Sequence, residues 1–215
     1  MNEATGLRER KKQRTREALS STAIELFLER GFDQVSVADV AAAVEVSKPT
    51  LFRYFPAKED LALHRIADHQ GESARVVRDR AAGQSPLAAL RAHFHARLDV
   101  HDPITGLNDD ARIRAFNDML YTTPSLLARL VRYTGRDEEE LTEALHETAD
   151  DGAATARFAA ELAAAQIITL HRRLAEANWR RIADGRTAEQ ALPDAHAAAE
   201  LGYDLLGGGL AAHYG

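Results

Sequence analysis

The chain has 215 residues, no cysteine and a formal net charge of −6. A hydrophobic share of 45% is ample for a packed core, which excludes global disorder and fits one or two domains. The missing cysteines exclude a disulfide-stapled scaffold, thiol catalysis and cysteine-ligated zinc.

No run of 18 apolar residues is present to span a membrane, and no apolar segment follows the charged N-terminus as a secretory signal would. The expectation is a soluble cytoplasmic protein with no membrane partner. Charge is unevenly spread: the run RERKKQRTR (Arg8 to Arg16) holds six basic residues against one acidic, whereas from Leu61 onward 17 arginines face 23 acidic residues. Such a basic arm is either a solvated tail or a local contact for a polyanion.

Taken in chain order, the periodicity predicts about nine helices and no strand, an all-α fold. The first runs from Arg8 to Arg30 on Leu19, Ala23, Ile24 and Phe27, and Gly31 ends it as a left-handed residue. Ser36 with Asp39 reads as a capping pair opening a second helix over Val37–Val44. After the short link Val44-Glu45-Val46, Ser47 caps a third helix, Lys48–Tyr54, which stops before Pro56. Two short helices around so tight a turn match a helix-turn-helix. A fourth helix is expected from Ala57 to Ala82, closed by Gly83. Ser85-Pro86 opens a fifth to His101, with Leu87, Leu90, Phe94 and Leu98 inward. Further helices are expected over Asp109–Tyr121, Pro124–Ala149 (with Gly135 as a candidate break), Ala153–Ala183 and a last one ending near His213.

The stretch AIELFLERGFDQVSVADVAAAVEVSKPTLFRYFPAKEDL (Ala23 to Leu61) resembles the N-terminal domain of the TetR/AcrR family of transcriptional regulators. The resemblance is carried by Phe27, Gly31, Ser36, Val40-Ala41, Val46-Ser47, the run Leu51-Phe52-Arg53-Tyr54-Phe55, Lys58 and Leu61. It implies a helix-turn-helix DNA-binding domain over residues 1–60 and a helical effector-binding and dimerisation domain over 61–215. It further implies a homodimeric repressor on a palindromic operator in double-stranded DNA, released by a small molecule. In the family the positions of Lys48, Pro49, Thr50 and Tyr54 serve recognition, that of Lys58 meets the backbone, and that of Ser36 approaches a phosphate.

General chemistry runs the same way. The first residues of a recognition helix meet base edges, where lysine can donate to guanine, threonine can offer hydroxyl or methyl, and proline can pack on a thymine methyl. Arg53 and Tyr54 suit phosphates, and Lys58 adds a charge beside free backbone N–H groups. Leu51, Phe52, Phe55, Val40 and Val46 are read first as core. Two positions depart from the family pattern. Glu45 stands where glycine is usual, so a non-glycine residue is expected to take positive φ. Phe52 stands where tyrosine is common, so a phosphate-reaching hydroxyl is lost there.

For the second domain the resemblance implies an effector pocket, and the sequence offers apolar walls in Phe94, Leu98, Ile113, Leu120 and Tyr121. Asn117, Gln166 and Thr169 are isolated polar groups on apolar stripes, each either a hydrogen-bonded core or interface residue or a group that orients a lipophilic or aromatic effector. A seam of Ala163, Ile167, Leu170, Leu174 and Ala177 suits packing against another helix. There the family resemblance sets the dimer, through the last two long helices.

Nothing points to a cofactor or metal. His93 and His95, two apart on a helix, cannot share an ion, and His101 reads as a helix-end cap. Glu143-x-x-His146 is half of a di-iron carboxylate signature, and it is the basis of the alternative reading, a helical-bundle enzyme or oxygen-dependent metalloprotein. That site needs a second such motif, which is missing. Nucleophile-elbow, Walker and Rossmann patterns are missing too, so a non-enzyme is expected.

Overall fold

Serine and threonine set where several helices begin. Ser36, Ser47, Ser85 and Thr187 each accept a backbone N–H from three residues on, the geometry of an N-cap. The computed structural model describes residues 3–148 and 155–209. The fold is all-α, and no strand occurs among the described residues. Among the described residues eleven α-helices follow in order: α1 Glu3–Arg30, α2 Val37–Ala43, α3 Lys48–Tyr54, α4 Lys58–Leu63, α5 Glu72–Arg78, α6 Pro86–Asp99, α7 Ala111–Thr122, α8 Pro124–Tyr133, α9 Gly135–His146, α10 Ala156–Ala183 and α11 Ala188–Gly208. The expected end near His213 lies outside the described residues.

The two helices beyond the expected nine come from breaks. Pro124–Ala149 divides at Thr134 into α8 and α9. Ala57–Ala82 is not continuous either: α4 ends at Leu63, a 3-10 turn covers His64–His69, and α5 begins after Gly71. The apolar spacing runs straight through this break, but the backbone does not. Gly71 takes φ 68, its N–H donates to Asp137 Oδ1 at 2.9 Å, and a side chain there would collide with the Glu140 carboxylate. Glycine takes this left-handed conformation without the cost a side chain would add.

The chain forms two compact units, Met1–Asp68 with Met119–Leu130, and His69–Asp118 with Val131–Gly215. In the first, α1 packs on α2 and α4, and α2 packs on α3. Leu19, Ile24, Phe27, Phe32, Val40, Leu51, Phe55 and Leu61 are all buried in it. A half-buried bidentate pair joins α4 to α8, with Arg129 Nε donating to Asp60 Oδ1 at 2.7 Å and its terminal nitrogen to Oδ2 at 2.8 Å. Asp60 Oδ2 also accepts the Ala57 N–H at 3.0 Å, so one carboxylate closes the start of α4 and holds the arginine.

In the second unit α5, α6, α9, α10 and α11 enclose a core that includes Val77, Leu90, Phe94, Leu98, Leu107, Leu141 and Tyr203. The loop before α7 lies so close to α10 that a Cβ at Gly106 would meet the Ala175 carbonyl. Asn178 Nδ2 donates to Thr105 O at 2.9 Å beside this contact. Polar groups thread the same unit. Glu72 accepts from Arg97 and shares hydrogen bonds of 2.9 Å with both His69 and His93. Burial alone would raise the Glu72 carboxyl, but those three partners outweigh it and hold the group well below the usual carboxylate range.

Part of the seam assigned to the dimer falls inside this core. Ile167 and Leu174 are buried within the chain, on the helix that packs against α9 and α11. These two positions therefore present little surface to a second subunit, whereas Ala163, Leu170 and Ala177 of the same stripe are half-buried. Large apolar side chains that α10 and α11 expose are Phe158 (60%), Leu162 (48%) and Leu201 (52%). Among the described residues no helix is long and apolar enough to cross a membrane.

Candidate nucleic-acid interface

The unit formed by α1 to α4 holds a two-helix element whose turn is fixed by backbone hydrogen bonds. Val46 N–H donates to Ala41 O at 2.9 Å and Glu45 N–H to Ala42 O at 3.1 Å. These are the paired bonds of a Schellman motif, which requires a left-handed residue just past the C-cap. Glu45 supplies it at φ 54, as the sequence led one to expect. For a residue with a Cβ this conformation costs about 1 kcal/mol.

Beyond the turn, Ser47 Oγ accepts the Thr50 N–H at 3.2 Å and lies 2.9 Å from the Thr50 hydroxyl. Lys48, Pro49 and Thr50 form the first turn of α3, with proline where its missing N–H is harmless. Leu51 and Phe55 anchor the helix in the core. Lys48, Pro49, Phe52 and Arg53 are exposed, while Thr50 and Tyr54 are half-buried at the side.

Phe52 overturns the core assignment made for it, since 46% of its surface is exposed. Leu51 and Phe55 already fill the inward side of so short a helix, so Phe52 has nowhere inward to go. Val46 is only half-buried, whereas Val40 is fully enclosed.

Ser36 caps α2 reciprocally. Asp39 N–H reaches its Oγ at 3.2 Å, and the Ser36 hydroxyl and N–H reach Asp39 Oδ2 at 2.6 and 2.8 Å. These hydrogen bonds from Ser36 hold the Asp39 carboxyl below its usual range. The Ser36 hydroxyl proton is thus already engaged.

Lys58 is turned inward rather than out to solvent. Its ammonium donates to the Phe32 carbonyl and lies 4.1 Å from the Phe32 ring centre and 5.5 Å from that of Phe27. Partial burial lowers its pKa. No local pattern signals this, because Phe32 is 26 residues away. Arg16 similarly covers the Phe55 ring at 5.4 Å. On α1 the side chains of Arg10, Lys11, Lys12 and Arg14 are exposed.

The residues expected around an effector scatter. Phe94 and Leu98 are buried in the second unit, Asn117 is buried and Ile113 half-buried on α7. Leu120 is buried and Tyr121 half-buried, both within the segment grouped with the first unit. Gln166 and Thr169 are exposed, and Gln166 Nε2 donates back to Leu162 O at 3.1 Å. They lie off the buried stripe of α10, so they do not face an interior pocket.

Beside Phe94 the sequence left a pair unnoticed. His171 stacks on Phe94 with ring centres 5.3 Å apart and shares a 2.7 Å hydrogen bond with the Tyr203 hydroxyl. Burial, helped by the neighbouring His93, pulls the His171 pKa down to about 4. Three helices supply these residues, so no local spacing could reveal the pair.

Glu143 of the E-x-x-H pair is exposed and bound to Arg157 at 2.8 Å. Among the described residues no group of three or more histidines and carboxylates is arranged to hold a metal ion.

Residues 19–64 match the family described as bacterial regulatory proteins, tetR family. The chain is 39% identical over 135 residues to the HTH-type transcriptional regulator TcmR of Streptomyces glaucescens, an alignment covering 62% of this chain and 58% of TcmR. It is 32% identical over 99 residues to the HTH-type transcriptional regulator RutR of Escherichia coli K12, covering 45% of each. The chain thus spans about half the length of these relatives, 58% of TcmR and 45% of RutR. Among solved structures it resembles NalD, the secondary repressor of the MexAB-OprM multidrug efflux pump in Pseudomonas aeruginosa. The TM-score is 0.52 at 19% identity, over 90% of this chain and 97% of NalD. That likeness is one of fold.

Proposed function

The chain belongs to the TetR family of bacterial regulatory proteins, and from that premise we propose that it is a ligand-responsive repressor, homodimeric on a palindromic operator. The observation that carries this reading is the capped α2–α3 element, which keeps Leu51 and Phe55 in the core and turns Lys48, Pro49 and Arg53 to solvent. A helix so displayed suits the major groove, where Lys48 can donate to guanine, Thr50 can meet a base edge and Pro49 can pack on a thymine methyl. Arg53, Tyr54 and the basic face of α1 take phosphates, and Ser36 reaches one only by giving up its bond to Asp39. Lys58 acts through the loop it holds, at the Phe32 carbonyl. The reading puts the protein in the cytoplasm, at the DNA.

The dimer forms through α10 and α11, on the faces that carry Phe158, Leu162 and Leu201, because a second subunit would cover apolar groups that otherwise stay in water. The effector enters the second unit beside Phe94 and Leu98, with Ile113 as wall and Asn117 as orienting group. Leu120, Tyr121, Gln166 and Thr169 are left out of that lining. Apolar and aromatic surroundings favour a lipophilic or aromatic effector. By linkage, an effector that binds the DNA-free conformation more tightly weakens DNA binding by the same factor, about 5- to 150-fold for ordinary couplings. Footprinting of the full chain on genomic fragments tests the reading. Protection of an inverted repeat, lifted by a lipophilic compound, is expected; uniform or no protection would overturn it.

A further inference from the structure

The exposed face of α3 has an apolar centre. At about 100° per residue, Lys48, Phe52, Pro49 and Arg53 follow one another in that order across an arc of about 140°. All four are exposed, while Leu51 is buried and Thr50 and Tyr54 are half-buried off the arc. Phe52 and Pro49 therefore occupy the middle of the face, and the two cations form its borders. Phe52 leaves 46% of its surface in water although the unit has a well-filled core.

A phenylalanine so placed has no hydrogen-bonding atom, so it cannot serve a phosphate. Its position between Lys48 and Arg53 matches a groove whose walls are anionic and whose floor offers an apolar spot. In the major groove the apolar group on a base edge is the thymine 5-methyl. We propose that Phe52 is a specificity-determining residue that packs on a thymine methyl in each operator half-site. This rests on the repressor reading above and adds the base it selects. The contact carries no charge, so it contributes selectivity without contributing to the salt dependence of binding.

The test uses the full-length chain and a duplex it selects from a random-sequence pool. Each thymine of that duplex is replaced in turn by deoxyuridine, which removes only the 5-methyl. For the wild type, one thymine per half-site is expected to show a loss of about three- to tenfold. Phe52→Ala should weaken binding to the all-thymine duplex by about tenfold, yet bind thymine and uracil equally at that position. Its salt slope should match the wild type, and Phe52→Leu should fall between the two. Because Phe52 is exposed, the variants should keep the thermal midpoint, which is checked alongside. If Phe52→Ala stays as sensitive as wild type to every uracil, or loses salt slope, the proposal is overturned while DNA binding stands. If the wild type selects no duplex at all, the repressor reading itself falls, and the two failures are distinct.

Discussion

His171 should make the protein sensitive to acid well above the range where carboxylates titrate. Its ring is stacked on Phe94 and hydrogen-bonded to Tyr203, and burial lowers its pKa to about 4, against 6.5 in an unfolded chain. Between those values the unfolded chain binds a proton that the folded one refuses, so stability falls as pH drops from 6.5 toward 4. At about 1.4 kcal/mol per pH unit the full window is worth about 3 kcal/mol, and partial solvent access to the ring reduces this to about 2 kcal/mol. Neighbouring groups act elsewhere. Glu72 is held low by its cationic partners, so its contribution is lost only below the ordinary carboxylate range, near pH 4.5 and under. His69 is raised by its bond to Glu72, so its contribution is complete below pH 6.5 and is lost as pH climbs past that. Urea unfolding at pH 6.5, 5.5 and 4.5 should show the decline in the wild type. His171→Gln, which keeps a partner for the Tyr203 hydroxyl, should flatten it by about 2 kcal/mol over the same interval. Parallel pH profiles for the two proteins would refute the argument.

Three other perturbations follow from the geometry. Glu45→Gly removes the strained left-handed residue of the α2–α3 turn and should stabilise the first unit by about 1 kcal/mol, seen as a raised thermal midpoint; a lowered midpoint would contradict the Schellman assignment. Lys58→Ala deprives the Phe32 carbonyl of its donor and should destabilise the fold by about 1–2 kcal/mol in urea titration. A variant that keeps full stability but loses DNA affinity would restore Lys58 as a direct phosphate ligand. Phe158→Asp with Leu201→Asp should give folded monomers by sedimentation, whereas Ile167→Asp should unfold the chain by burying an unpaired charge at a cost of about 3 kcal/mol or more. Dimers persisting in the double variant would move the interface off α10 and α11.

What the sequence made legible is what short-range chemistry decides. Ser36 with Asp39, Ser47 with Thr50, and Ser85 before Pro86 each set a helix start within four residues, and all three stand as expected. Glu45 could be read as left-handed because the turn geometry demands it of whatever residue sits there. The break at Gly71 escaped because the apolar period continues across it, and its cause lies in Asp137 and Glu140, far along the chain. Phe52 misled for a different reason: hydrophobicity marks a residue for the interior only while space remains, and Leu51 and Phe55 had taken it. The seam through Ile167 and Leu174 was seen correctly as a packing stripe. Periodicity shows which face of a helix is buried, though, and does not say whether the covering surface belongs to the same chain. Lys58, His171 and Tyr203 owe their settings to partners that no local pattern names.

On the proposed reading, α3 and the basic face of α1 meet DNA. Fluorescence anisotropy of the full-length chain on its selected duplex and on scrambled DNA, from low to moderate salt, measures this in one series. If each subunit of a dimer neutralises at least two phosphates, log K should fall against log salt with a slope of about −3.6 or steeper. The selected duplex should be preferred by about a thousandfold or more, a preference that Lys48→Ala cuts by about 1–3 kcal/mol. Equal affinity for both duplexes across the whole salt range, unchanged by Lys48→Ala, would contradict it.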